Sequence, residues 1–591
     1  MNFESLLLSV EKPSRYIGGE VNAVHKDHQS CKLSFALAFP DTYEVGMSHL
    51  GLQILYAILN RMPDVVAERC FAPWPDMETR MRQSGLSLAS LESHTPLNRF
   101  DIIGFSLQYE LSYTNVLNML DLAGVPLRRE NRRAGDPLII AGGPCAFNPA
   151  PMSLFIDAFA IGEGEEIITE IAATVMNGKT KGYSRERILE ELAQIDGLFV
   201  PALHKQGEII RKRIVTDINR WRLPTCPVVP LMKTIHDRIT LEIARGCTRG
   251  CRFCQAGMVW RPVREKEPAV LLDMADQNLS ATGYEEISLL SLSSGDYTYI
   301  EPLLSLLMNR YYNQRIALAL PSLRVETLTK KLMDDIKRVR KTSFTLAPEA
   351  GTQRLRNVIN KGNTEEELLT TVRQVFDAGW KAVKLYFMIG LPGETPEDLE
   401  GISTMAHRAL REGKNRGQVT VSLSTFVPKP HTPFQWSRQI TMAETQEKQN
   451  YFRQVIRHRN LSVKWHDYRM SFLEGILSRG DEQTGLLIEE AYQRGARFDG
   501  WSDLFHFSQW EDAFSNQHIT PEDHFIERNP SAALPWDRID AGLSRAFLHR
   551  EAEKAGRQEP TPDCRFSPCH DCGVCDHVNI KTTLARDAKH I

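Results

Sequence analysis

The stretch RITLEIARGCTRGCRFCQAG, residues 238–257, decides how the rest of the chain is read. Its first half is a short apolar run with the length and β-branched content of a buried strand. Its second half sets Cys247, Cys251 and Cys254 in the pattern C-x3-C-x2-C on the loop that follows. With 11 cysteines in 591 residues, random placement would produce that spacing only about 0.004 times. Structural zinc takes four protein ligands, so three thiolates leave a coordination position open. A cubane iron–sulfur cluster held by three cysteines likewise leaves one iron free, an arrangement suited to chemistry rather than scaffolding.

Downstream, the strand-like segments EEISLLSLSSGD, RIALALPSLR, KTSFTLAPEAG, KAVKLYFMIGLPGE and QVTVSLSTFVPKP alternate with helical stretches. Together with the opening strand they make six βα units over 233–440, which predicts a partial or closed parallel barrel with its chemistry at the strand ends. Upstream, CKLSFALAFP, FDIIGFSL, DPLIIAGG and IDAFAIGEGEE are buried strands separated by helices. They predict a Rossmann-like, doubly wound parallel sheet over 26–180, whose active loops are PDTYEVG, SLQYE, GGPCAFNP and GEGEE. An N-terminal arm (1–25) precedes this sheet and a connector (181–232) follows it. A mainly helical region (441–555) and a cysteine-rich tail (556–591) follow the barrel. The fold class is therefore α/β.

The apolar fraction is 42%, the charged fraction 25% and the net charge −3. These are the proportions of a soluble globular protein, without a global basic field to recruit nucleic acid or an anionic membrane. The basic runs RRENRR (128–133) and KRVRK (337–341) read as solvated faces, with a nucleic-acid role weakly supported. The N-terminal MNFESLLLSVEKPSR has neither signal- nor transit-peptide character. The apolar stretch 138–162 is interrupted by glycines, prolines, Asn148 and Asp157, so it does not read as a membrane span. A cytoplasmic, reducing location follows as the expectation, where clustered cysteines are metal ligands or catalytic groups rather than disulfides.

The cysteine motif with Phe253 before its last cysteine, placed after a first barrel strand, resembles the radical S-adenosylmethionine (SAM) superfamily. That resemblance spans roughly 234–440 and implies a partial (β/α)6 barrel, a 4Fe–4S cluster on Cys247, Cys251 and Cys254, and SAM. It also implies SAM contacts from Phe253 and from Ser294-Gly295-Asp296, where the family has Gly-Gly-Glu at the methionine amino group. Glu349 would lie near the ribose and Gly390, in MIGLPGET, on the adenine side. In such enzymes the cluster passes an electron to the sulfonium and releases a 5′-deoxyadenosyl radical.

An α/β domain ahead of such a barrel resembles the cobalamin-binding branch of the superfamily. The usual D-x-H-x-x-G after the first strand here reads Asp41-Thr42-Tyr43-Glu44-Val45-Gly46, with tyrosine at the position of the axial histidine. Ser106 and the pair Gly142-Gly143 resemble the later serine and double-glycine elements. His49 reads as an ordinary, partly buried histidine. In the tail, Cys564, Cys569, Cys572 and Cys575 form a four-thiolate set that suits a second iron–sulfur cluster or a structural zinc. Cys31, Cys70, Cys145 and Cys226 read as small buried hydrophobes.

The expected activity is cobalamin-dependent methyl transfer to an unactivated carbon, with a flavodoxin or ferredoxin as electron donor and the substrate unassigned. The alternatives are cobalamin-independent RNA modification of the methylthiotransferase kind, and a non-catalytic cobalamin or cluster sensor.

Overall fold

The computed structural model describes residues 3–205, 207–320, 344–577 and 580–586. In the N-terminal sheet, strands β1 (Leu33–Phe39), β2 (Val65–Phe71), β3 (Ile102–Ser106), β4 (Leu138–Gly142), β5 (Ala158–Ala160) and β6 (Leu198–Phe199) lie in the order 2-1-3-4-5-6. All pairings are parallel except that of β5 with β6. Chain direction across the sheet therefore switches between β1 and β3, and in such folds ligands sit outside the carboxyl ends of the strands at that point.

One face of this sheet is covered by α1 (Leu50–Arg61) and α3 (Gly164–Thr180), whose Leu52, Ile58, Ile167 and Ile171 pack on Leu37 and Ile140. The other face carries α2 (Tyr113–Leu122) and, unexpectedly, the helices from beyond the barrel.

The barrel begins with β7 (Ile239–Glu242), β8 (Glu286–Leu290) and β9 (Ala317–Ala319), paired in the order 9-8-7. It continues with β10 (Phe344–Glu349), β11 (Ala382–Ile389), β12 (Gln418–Thr425) and β13 (Leu461–Trp465), all parallel. The helix α4 (Gln255–Val259) closes the cysteine loop after β7. Along β11, Val383, Leu385, Phe387 and Ile389 are buried against α5 (Glu365–Asp377) and α6 (Pro396–Glu412), while Lys384 and Tyr386 face the other way. That two-residue alternation is a strand covered on one side by helices and open on the other to a lumen. The strand β13 lies within the region read from sequence as helical, and it adds a seventh strand beside β12. The basic run 337–341 lies outside the described residues.

The region after β13 does not form a separate layer on the barrel. Helices α7 (Tyr468–Arg479), α8 (Gln483–Gln493) and α9 (Phe507–Asn516) place Leu473, Ile476, Leu487 and Trp510 in the same core as β3 and α2. Polar contacts fix the same joint. Asp499 accepts from Thr114 Oγ1 at 2.7 Å and from Trp510 Nε1 at 2.9 Å, and Arg128 pairs with Glu489 at 2.6 Å. Arg132 is buried against Asp157 at 2.9 Å, so the run 128–133 is largely structural. A final helix, α10 (Arg545–Gly556), leads to the cysteine-rich tail.

Burial pushes the Asp499 carboxyl up from 3.8 to about 6, against the pull of its donors Trp510 and Thr114. A proton held more tightly in the folded state favours folding at low pH, and that contribution is lost as pH rises through the folded value. Asp499→Asn keeps an acceptor for Trp510 without the charge. It should gain stability relative to the parent between about pH 4 and about pH 6, by on the order of 1–3 kcal/mol, and then level off. Denaturant midpoints across that range test this; a difference that does not change with pH would show that this carboxyl titrates normally.

Candidate active site between two sheets

The cysteine loop is shaped locally by its cap. Cys254 is the N-cap of α4 and its Sγ accepts from the Gly257 amide at 3.3 Å. Burial, with Cys251 and Cys247 alongside, pushes its thiol up to about 12. Three neighbouring thiols, one of them accepting from a helix amide, would repel one another as thiolates, and a cationic metal centre satisfies such a donor set. Among the described residues no three His, Cys, Asp or Glu side chains converge tightly enough for a single ion. A cubane asks less, because each cysteine binds a different iron.

The loop is held from behind by Arg252, whose side chain is fully buried. It pairs with Glu551 of α10 at 3.1 Å and donates to the carbonyls of Asn357, Val358 and Glu559 at 3.0, 2.9 and 2.7 Å. Asn360, in the left-handed region at φ 54°, donates to the carbonyls of Arg249 and Gly250, both at 3.1 Å.

Around this loop the structure groups the residues that the sequence singled out. Phe253 packs beside Ala350, Leu355, Leu391, Phe426 and Phe434, contributed largely by the loops after β10, β11 and β12. Glu349 ends β10 at φ 67°, a conformation costly for a residue with a Cβ, and pairs with Lys361 at 3.2 Å. Gly390 has φ 80°, and a Cβ there would come within 2.6 Å of Ile440. On the opposite side, Ser294 is buried with its hydroxyl on the Leu289 carbonyl, and Asp296 is paired with Arg249 of the cysteine loop.

Beside the loop lies a cavity of about 610 Å³ between the two sheets. Its N-terminal wall runs from Ser106, Gln108, Gly142 and Gly143 down into an apolar slot between the sheet and helices α1 and α3, lined by Leu37, Ile54, Ile140 and Ile171. Its barrel wall comes from Thr240, Glu242, Ser288 and Leu290, and reaches Gly246, the residue before Cys247. Trp260, just past α4, closes one end and packs edge-on against Phe147 at 5.8 Å.

The loops SLQYE, GGPCAFNP and GEGEE all reach this cavity, whereas Asp41, Tyr43 and Gly46 lie outside it. The N-terminal arm is the reason. Arg15 holds Glu44 at 2.9 Å, Tyr43 donates to Glu20 at 3.1 Å, and Asp41 accepts from Trp501 at 2.9 Å. Gly46 is needed for packing, since a Cβ would strike Phe71 at 2.2 Å. His49 does line the cavity, but its Nδ1 accepts from the Leu52 amide at 3.1 Å, capping α1. Burial drives its pKa down to about 4, so it is a neutral ring with its proton on Nε2.

Sequence reading missed the ionic wall of the cavity. Arg245 meets Glu163 at 3.1 Å, Glu165 at 2.6 Å and Glu242 at 2.9 Å, and Arg264 meets Glu163 at 2.6 Å. Burial alone would raise Glu242, yet Arg245 and Lys266 hold it at about 2. The only hint in the sequence was the acidic character of GEGEE, which by itself describes any solvated loop.

A family model described as Radical SAM superfamily matches residues 241–406, and one described as Radical SAM proteins, N-terminal, matches 51–201. The chain thus carries a radical SAM domain, and such a domain implies a 4Fe–4S cluster and SAM. This radical SAM protein is 28% identical over 456 residues to an uncharacterized protein of Methanocaldococcus jannaschii, covering 77% of this chain and 90% of that one. It is 23% identical to the anaerobic magnesium-protoporphyrin IX monomethyl ester cyclase of Cereibacter sphaeroides over 348 residues, 55% of this chain and 50% of the relative. It thus spans half of that enzyme's length. Among solved structures, the cobalamin-dependent SAM radical enzyme OxsB superposes with a TM-score of 0.46 at 12% identity, covering 89% of this chain and 79% of that one. No helix among the described residues is long and apolar enough to cross a membrane.

Removing Glu551 tests how firmly the cysteine loop is tied. Glu551→Ala leaves the Arg252 guanidinium buried without its carboxylate and should cost about 3–5 kcal/mol in denaturant unfolding. A loss below about 1 kcal/mol would show that the three carbonyls and the Thr561 hydroxyl, an acceptor at 3.4 Å, alone satisfy Arg252.

Proposed function

We propose that this radical SAM enzyme carries cobalamin in its N-terminal domain and transfers a methyl group to an unactivated carbon of its substrate. The observation that carries this reading is the cavity shared by the switch point of the N-terminal sheet and the barrel edge next to Cys247. An apolar slot opening into a broad, polar-rimmed chamber suits a ligand with an aromatic arm and a wide, amide-bearing head, which is the shape of cobalamin. Gly142 and Gly143 keep side chains out of the mouth of the slot. Cys247, Cys251 and Cys254 would hold the cluster, with Phe253, Glu349, Gly390 and the 294–296 turn around SAM. When bound, these groups supply an electron for sulfonium cleavage and a transferable methyl group. A flavodoxin or ferredoxin is the electron source this chemistry asks for.

The chain's own residues set the conditions. Tyr43 lies outside the cavity with its hydroxyl on Glu20, and the His49 Nδ1 lone pair is taken by the Leu52 amide, so neither side chain offers a free donor atom to the cavity. Cobalamin in this cavity would take no donor from Tyr43 or His49, and would supply a transferable methyl group. The Arg245 network seals the chamber's barrel side with neutralised charge, keeping radical chemistry from bulk water. The tail cysteines provide soft donors for a second iron–sulfur cluster or a zinc.

A second reading, methylthio transfer, draws on 24% identity over 186 residues to a tRNA-2-methylthio-N(6)-dimethylallyladenosine synthase of Desulforamulus reducens, 29% of this chain and 39% of the relative. In the N-terminal domain, however, Cys70 and Cys145 are buried singly. They are not grouped to hold a further cluster.

Two outcomes test the proposal. Cys251→Ala should lose the cluster's visible absorbance and all 5′-deoxyadenosine formation; continued product would remove the catalytic assignment of this loop. Protein expressed anaerobically with cobalamin should retain near-stoichiometric cobalt. Gly142→Leu, whose Cβ has ordinary clearance at 3.5 Å from Ala160, should fill the slot and abolish cobalt retention while leaving the iron content unchanged. Iron without cobalt in the parent protein would instead assign the N-terminal domain to docking.

A further inference from the structure

The cysteine-rich tail does not hang free of the active site. Before its cysteines, the Thr561 amide donates to Asn360 Oδ1 at 2.8 Å, and Asn360 donates back to the Thr561 carbonyl at 3.0 Å. The same asparagine carries the Arg249 and Gly250 carbonyls of the cysteine loop. After its cysteines, Thr583 exchanges backbone hydrogen bonds with Val263 and Glu265, each at 2.9 Å, and the Ala585 amide donates to the Glu265 carboxylate at 3.0 Å. The segment before the tail cysteines is thus tied to the interior of the first cysteine loop, and the segment after them to the chain just beyond that loop.

Between these flanks sits a charge lattice. Arg565 pairs with Asp563 at 2.7 Å, reaches the Asp296 carboxylate at 3.6 Å, and donates to the Asp296 carbonyl at 2.7 Å. Arg249, from the cysteine loop, donates through Nε to Asp296 at 2.8 Å and lies 3.6 Å from Asp563. The side chains of Asp296, Asp563 and Arg565 are 9%, 8% and 4% exposed, so these pairs are shielded from salt and solvent. Cys564 stands between Asp563 and Arg565 in sequence, so whatever holds its sulfur also places both charged neighbours. Cys564 lies close enough to interact with Cys572 and Cys575, and Cys575 with Cys569 and Cys572. Cys572 also packs with Met258 of α4, on the far side of the first loop.

We propose that the tail is a working part of the SAM site. An iron–sulfur cluster on Cys564, Cys569, Cys572 and Cys575, each cysteine on a different iron, anchors Asp563 and Arg565, and Arg565 is a positioning residue that holds Asp296 and Arg249 where SAM must be received. The proposal rests on the reading that the 294–296 turn meets SAM. Loss of the tail metal then lowers SAM affinity while the first cluster remains assembled. A tail acting only as a fold clamp would change stability without changing the cluster's response to SAM.

The test uses the full chain, anaerobically reconstituted with iron and sulfide. Iron and zinc per chain, SAM affinity by equilibrium dialysis, and the electron paramagnetic resonance signal of the reduced cluster with and without SAM are measured together. Arg565→Ala should weaken SAM binding about tenfold or more. Arg565→Lys should recover part of that loss, because the charge returns without the two-pronged fork. Cys569→Ser removes the exposed thiol of the set. It should lose the tail's iron and lower SAM affinity with the first cluster's signal intact. SAM binding at parental affinity in Arg565→Ala and Cys569→Ser would overturn the proposal. A parent that holds its first cluster but binds no SAM would overturn the underlying reading, and this inference with it.

Discussion

The arrangement of the molecule depends on one buried cation. Arg245 follows the first barrel strand and is enclosed by Glu163 and Glu165 from the N-terminal sheet and by Glu242 from the barrel. A desolvated guanidinium is costly unless its donors meet carboxylates in good geometry. Here the carboxylates come from two different sheets, so satisfying Arg245 requires the carboxyl ends of those sheets to face each other. Gly246 and Cys247 come next in the chain. The ion pair therefore fixes the shape of the cavity wall and the root of the cysteine loop at once.

That constraint explains why the cavity is divided as it is. Its floor belongs to the N-terminal sheet, where Leu37, Ile140 and the apolar faces of α1 and α3 stop short of one another. Its roof belongs to the barrel and is polar, because the strand ends there carry Thr240, Glu242 and Ser288. A ligand bound in the slot would present its far side to the cluster loop across a chamber in which every large charge is already neutralised. Low dielectric and fixed dipoles are what reactive intermediates need from a protein.

The segments distant in sequence act as fasteners. Helices after β13 bury Leu473, Leu487 and Trp510 against the N-terminal sheet, so the chain's middle third is held between its first and last. The N-terminal arm turns the loop after β1 away from the cavity through Arg15 and Glu20. The tail comes back to the cysteine loop, where Arg252 joins α10 and Arg565 joins the turn after β8. None of these contacts is local, and each closes a loop whose entropic cost grows only slowly with length.

The sequence by itself determined the two parallel α/β units, the loops at their strand ends, and the three-cysteine motif, because strand–helix alternation and ligand spacing are local properties of the chain. It also separated the tail set of four cysteines from the singly placed Cys70 and Cys145. Only the tertiary structure decided which loops share the cavity. Tyr43 occupies the motif position expected to face a cofactor, yet its hydroxyl goes to Glu20, a partner 23 residues away. His49, which the motif does not include, lines the cavity while capping α1. Seventh-strand pairing by β13, the docking of α7 to α9 on the far sheet, and the Arg245 and Arg565 networks were likewise illegible. Each depends on which charged or apolar groups meet across long separations, and burial, not spacing, sets the energy of those meetings.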